Sequence, residues 1–277
     1  MESHERIRPM TYAGSWYESD PDLLRNSLRE HLEAAEESRA WQRAGLNYAY
    51  LGMLPHAGLV FSSRGIAHFF AALPHLVNRI LIIAPSHYTA IPSDALTTSP
   101  FTAIETPLGQ LEAVPMYDLL PSRVIHLDRK SVEIEHALEM FLPFCALYRE
   151  RENRDVAVGL CQVSRITHSE SVEMLAEAVL EALGDDTIAN GHTAVIASSD
   201  FTHYGRRFGY APYGERDAEK LVLSHDREYA ELFASRNISA LLARKAAEDP
   251  TICGFAPGLI AASIADKLGL AGRILDQ

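Results

Sequence analysis

Three histidines in this chain each follow an apolar run that ends in a small residue or proline, a pattern suited to building a metal site. His56 stands in Leu54-Pro55-His56-Ala57-Gly58 behind the stretch from Tyr48 to Leu54. His87 stands in Ala84-Pro85-Ser86-His87 behind Arg79 to Ile83. His203 stands in Ser198-Ser199-Asp200-Phe201-Thr202-His203-Tyr204-Gly205 behind Thr193 to Ala197. In an open α/β sheet ligands bind in the crevice beyond the carboxyl ends of the strands, so imidazoles placed just after strand ends can converge there. Imidazole suits Zn, Cu, Fe and Ni, and a thiolate is a softer, strongly donating ligand. His56, His87 and Cys253, the last in Thr251-Ile252-Cys253-Gly254, are therefore a candidate set for one divalent ion with positions left open. A single strand-end histidine is more often a hydrogen-bonded structural residue, and a lone cysteine more often a small buried apolar one. Spacing alone does not choose between these for Cys253.

Asp200 and His203 form a second constellation. On a short shared turn the carboxylate would fix the imidazole tautomer and raise its basicity, making His203 a candidate general acid/base with Asp200 orienting it. The plainer reading is an Asx-turn in which Asp200 caps local backbone. Ser198 and Ser199 lack the Gly-x-Ser-x-Gly setting of a nucleophile elbow. Glu133, Glu135, His136 and Glu139 crowd one expected helix and could offer a carboxylate–imidazole pair to the same crevice, although a solvated face explains the glutamates equally well. Tyr17, beside Trp16, is a candidate pocket hydroxyl against a background of aromatic core packing. His136 and Tyr17 are thus the expected pocket lining.

The elements that must position these residues follow from periodicity. Asp20-Pro21 opens an amphipathic helix carrying Leu23, Leu24, Leu28 and Leu32. A strand at 48–54, a helix from a Ser62 or Ser63 cap to about Ala72, and a strand at 79–83 make a βαβ unit with parallel pairing. From Ser86 to Arg123 the prolines 92, 100, 107 and 115 predict short strands and loops. A helix from about Ser131 to Phe141 meets Pro143, which kinks or restarts it. A strand at 155–161, a helix at 169–183 ended by Gly184 and a strand at 193–197 follow. The sequence is then mostly helical through Lys267, and residues 273–277 have edge-strand character. With no internal repeat or linker, residues 1–277 read as one α/β domain, three layers deep, with a mostly parallel central sheet flanked by helices.

Composition narrows the function. The 277 residues are 47% hydrophobic, enough for a sizeable core. A net charge of -12, without clustered Lys and Arg, argues against nucleic acid and anionic membrane as partners and for a small-molecule or peptide ligand. Three cysteines without paired spacing suit a reducing, cytoplasmic setting. No stretch reaches the roughly 18 apolar residues of a membrane span.

Taken in order, the motifs Ala13-Gly14-Ser15-Trp16-Tyr17, Pro55-His56-Ala57-Gly58, Pro85-Ser86-His87, Thr106-Pro107-Leu108-Gly109, Glu135-His136-Ala137-Leu138-Glu139, Leu142-Pro143-Phe144, the Ser198–Gly205 segment and Ile252-Cys253-Gly254 resemble the Memo family, also called protein B of the AmmeMemoRadiSam system. The resemblance spans almost the whole chain. It implies a fold similar to class III extradiol dioxygenases, non-haem iron enzymes that cleave catechol-type rings. It also implies a metal site at His56, His87 and Cys253, with Asp200 and His203 beside it. In the extradiol enzymes a carboxylate takes the place of Cys253, and a thiolate there changes the iron potential and is itself oxidisable. The resemblance further implies redox-active iron or copper, AmmeMemoRadiSam partner proteins, and, by analogy with animal members, peptide binding. Family members usually run past the position of Gln277 into a final strand segment, so a sheet edge free for a partner, or a trimmed terminus, is expected. The leading reading is an Fe(II)-dependent, dioxygenase-like oxidoreductase acting on an aromatic substrate with O2. A zinc hydrolase and a non-catalytic peptide- or partner-binding protein are the alternatives.

Overall fold

The run Arg79–Ala84 is apolar on both sides of its pleat, as a strand covered by helices on both faces must be. It forms the centre of the sheet in the computed structural model, which describes residues 6–276 apart from Glu215. Among the described residues the strands are β1 (Ile7–Arg8), β2 (Leu51–Leu54), β3 (Arg79–Ala84), β4 (Leu96–Thr98), β5 (Ala103–Ile104), β6 (Leu111–Ala113), β7 (Ile125–Leu127), β8 (Ala157–Gln162) and β9 (Thr193–Ser198). Their order is β1-β5-β6-β8-β3-β9-β2, with β4 beside β8 and β7 beside β4. Pairing is parallel except for β5 with β6 and β4 with β8. β2 and β3 run parallel, as the βαβ reading requires, but β9 is inserted between them.

Alternation along β3 divides the core. Ile80 and Ile82 pack into the layer of helices Pro21–Ser38, Leu59–Ala71 and Leu142–Glu152. Leu81 and Ile83 pack into the layer of helices Ser169–Leu183, Ala218–Ala234, Ile238–Glu248 and Phe255–Lys267. The expected three-layer α/β domain is what the chain forms.

Local chemistry explains most element ends. The Asp20 carboxylate accepts from the backbone N–H groups of Asp22 and Leu23, Pro21 opens the helix, and Leu24, Leu28 and Leu32 are buried while Leu23 is exposed. Gly184, at φ 80°, ends the helix Ser169–Leu183. Three expectations are corrected. The helix after β2 begins at Leu59 behind Gly58, so Ser62 is an interior residue whose hydroxyl donates to the Ala57 carbonyl instead of capping. The helix expected from Ser131 to Phe141 is broken: it runs Arg129–Ile134, passes through Glu135 in an extended conformation, and resumes as His136–Glu139 and then Leu142–Glu152. Residues 273–276 form no strand; Arg273 donates to the Ala44 carbonyl and Leu275 packs on the core. Gln277 lies outside the described residues.

Among the described residues no helix is long and apolar enough to cross a membrane.

Candidate metal centre

Register sets the site. Leu54 of β2 is level with Ser198 of β9, and Ala197 of β9 with Ile83 of β3, so three adjacent parallel strands end together. His56, Asp200 and His87 lie two or three residues past those ends. Cys253 reaches the same place from the turn before the helix Phe255–Lys267, whose Gly254 sits directly against β9. A side chain at Gly254 would put its Cβ 2.1 Å from the Ser198 carbonyl oxygen and 2.3 Å from the Ser199 Cβ. Only glycine permits this approach.

One ligand atom each from His56, His87 and Cys253 lies within 4.8 Å of the other two. That is the span a single ion with bonds of about 2.0–2.3 Å can bridge after small adjustments. Hydrogen bonds behind the rings set their tautomers. The Ser198 hydroxyl donates to the Ala137 carbonyl at 2.7 Å, so it accepts from Nδ1–H of His56, also at 2.7 Å. The lone pair of His56 Nε2 is left facing the Cys253 sulfur at 3.3 Å. His87 donates through Nδ1 to Glu135 Oε1 at 2.8 Å and through its backbone N–H to Oε2 at 2.7 Å. Its Nε2 is then the free ligand atom. An imidazole with its second nitrogen on a carboxylate or hydroxyl is the usual support for a metal ligand.

Electrostatics favour the same states. Burial lowers the His56 pKa to about 3, against an opposing pull from Asp200, so the ring is neutral and able to ligate. Burial alone would raise Glu135, but the adjoining His136 and His87 imidazoles outweigh it and bring the carboxyl down to about 2. Burial, and then the Asp200 charge, push the Cys253 thiol up to about 12. An arriving cation must therefore displace that proton.

A family model described as Memo-like protein matches residues 8–276. The chain belongs to the Memo-like family. It is 28% identical over 273 residues to a MEMO1 family protein of Saccharolobus solfataricus, covering 95% of this chain and 89% of that one. It is also 28% identical over 231 residues to Protein MEMO1 of Xenopus laevis, covering 79% and 70%. A MEMO1 family protein of Saccharomyces cerevisiae matches at 28% over 250 residues, covering 84% and 70%.

Of the other expected site residues of this Memo-like chain, Asp200, His203 and Tyr17 make contacts other than those expected, whereas His136 lies in the crevice. Asp200 does not orient His203. Its Oδ1 accepts from the backbone N–H of His56 at 2.8 Å, and its own N–H donates to the Cys253 sulfur at 3.3 Å. His203 is instead clasped by Thr251: its Nδ1 donates to the Thr251 carbonyl at 2.8 Å, and its backbone exchanges hydrogen bonds with the Thr251 hydroxyl. Tyr17 is a core residue with its hydroxyl on Glu139 Oε1 at 2.8 Å, so it presents no free donor to a pocket. His136 is buried in the site, its ring 4.5 Å from that of His87 and 5.3 Å from that of His56.

Sequence reasoning missed Tyr12, Trp16 and Tyr88, whose rings lie 5.9, 4.4 and 5.4 Å from His136. It also missed Ser198 as the residue behind His56. Direct adjacency to His87 and Tyr17 was the available signal for Tyr88 and Trp16. A cavity of about 370 Å³ lies apart from this centre, along β2 beneath residues 270–276. Its lining is mainly apolar, and none of the converging ligand atoms reaches it.

Proposed function

We propose that this Memo-like chain is a non-haem metal oxidoreductase that holds Fe(II) at His56, His87 and Cys253 and acts on an aromatic substrate with O2, in the manner of extradiol dioxygenases. The observation that carries the reading is the convergence of three ligand atoms within 4.8 Å, two of them on rings whose other nitrogen is hydrogen-bonded. Bound Fe(II) supplies open coordination positions and redox chemistry with O2. The chain's own residues do the rest. Tyr12, Trp16 and Tyr88, gathered about His136, give a flat ring surfaces to pack on. His203, with Nδ1–H spent on Thr251, keeps Nε2 as an acceptor for a substrate proton. Asp200 holds the backbone of His56. Cys145, Cys161 and Cys253 are all free thiols, which suits a reducing cytoplasm.

Anaerobic reconstitution with Fe(II), followed by O2 uptake over a panel of catechols, tests this; uptake no greater than that of metal-free protein rejects the dioxygenase reading. The sulfur ligand favours a second reading, because thiolate suits Cu and Zn better than the carboxylate of extradiol enzymes does. Full zinc occupancy in protein purified without added metal, with ester hydrolysis and no O2 uptake, would identify a hydrolase. A peptide-binding role predicts that His56→Ala loses the metal and keeps its partner.

A further inference from the structure

His87 belongs to a second constellation. With Glu135 and His136 it forms another group whose ligand atoms lie within 4.8 Å of one another. Glu135 Oε1 is 2.8 Å from His87 Nδ1 and 3.2 Å from His136 Nδ1. Adjacent ligands around an ion with bonds of about 2.1 Å are separated by roughly 3 Å, so these spacings fit a shared cation.

The His136 side chain is nine-tenths buried, and its Nδ1 makes no properly angled hydrogen bond although it faces that carboxylate. Glu135 has the capacity to serve. Oε2 takes the His87 N–H and the Gln162 amide, and Oε1 takes the Ala137 N–H and the His87 Nδ1–H; a cation that replaces the Nδ1 proton would take over that last lone pair, which the His136 ring nitrogen also faces. Two imidazoles and one carboxylate on a face are the ligand set of non-haem Fe(II) oxygenases, whereas the first site offers sulfur.

We propose that His87, Glu135 and His136 form a second, overlapping site for a divalent cation, harder in character than the sulfur site, with His87 able to serve one site through Nε2 and the other through Nδ1. The proposal goes beyond the reading above and rests on it only in taking the crevice to bind metal.

Co(II) separates the two sites, because only thiolate ligation gives an intense sulfur-to-cobalt charge-transfer band. The expected result is that the double variant His56→Ala/Cys253→Ala still binds one Co(II) per chain without that band, and that adding His136→Ala weakens binding at least about tenfold. No Co(II) bound by a folded double variant overturns the proposal. Should the double variant not fold, Mn(II), which disfavours thiolate, is titrated into otherwise wild-type protein and followed by EPR. Binding lost in His136→Ala and kept in Cys253→Ala supports the second site; the reverse overturns it. The charge-transfer band in wild-type protein reports on the sulfur site separately, so either site can fail without the other.

Discussion

At the residue scale the proposed metal centre depends on groups that would never touch the ion. Ser198 donates its hydroxyl hydrogen to a bond with the Ala137 carbonyl and so obliges His56 to carry hydrogen on Nδ1. Ser198→Ala removes that constraint, and metal affinity is expected to fall about 10–100-fold while the fold is retained, measured by competition with a chelator. As a ligand, Cys253 would impose a pH dependence on metal binding. Because burial and Asp200 hold its pKa near 12, one proton must leave for each ion bound. Apparent affinity should therefore rise about tenfold per pH unit from pH 6 to 8, apart from any change in the buffer's own metal binding, and a flat profile would show that the sulfur does not ligate. The convergence of His56 and His87 was legible in the sequence because the strand-end position is a backbone property. The roles of Asp200, His203 and Tyr17 were not, because which of several nearby partners a polar group takes depends on tertiary placement, and their partners His56, Thr251 and Glu139 are far from them in sequence.

At the element scale, two local breaks aim the ligands. The first is the interruption at Glu135. A continuous helix would have grouped Glu135 with Glu139 on one face; the extended residue instead turns Glu135 toward His87 and leaves Glu139 to the N-terminal segment. Carbonyls freed by this break are taken by Arg8, at Val132 and Glu135, by Thr11, at Glu133, and by Tyr12, at Ile134. No local signal announces such a break, since Ser131–Phe141 lacks an internal Gly or Pro; Pro143, by contrast, marked the helical restart correctly. The second is the glycine contact at Gly254. Gly254→Ala meets backbone that cannot yield, so a loss of about 1–3 kcal/mol is expected in urea unfolding, together with loss of metal as Cys253 is displaced. Strands and most caps were readable because apolar runs and Asp, Pro and Gly at element ends act locally. The insertion of β9 between β2 and β3 was not, because strand order is a long-range property.

At the scale of the whole molecule, the N-terminal segment supports the site through a buried ion pair. Arg8 and Glu139 are both fully buried, 2.7 Å apart, and Glu139 also accepts from the Thr11 and Tyr12 backbone and from the Tyr17 hydroxyl. Glu139→Gln leaves the guanidinium without its counter-charge and should cost about 3–5 kcal/mol of stability, read from the urea midpoint. Acid acts on the same scale. The folded-state pKa of His56 lies near 3, below its ordinary 6.5, so its contribution is complete above pH 6.5 and is lost as pH falls toward 3. Metal-free protein should lose stability through that window with a slope of up to about 1.4 kcal/mol per pH unit from this residue, and His56→Gln should flatten it.

The most direct test of the centre is an anomalous-scattering map of metal-loaded crystals, collected at the iron, copper and zinc edges. A peak bonded to the Cys253 sulfur and to Nε2 of both His56 and His87 is the predicted result. A crevice with no peak, or with no peak bonded to the sulfur, would contradict the sulfur-ligated centre.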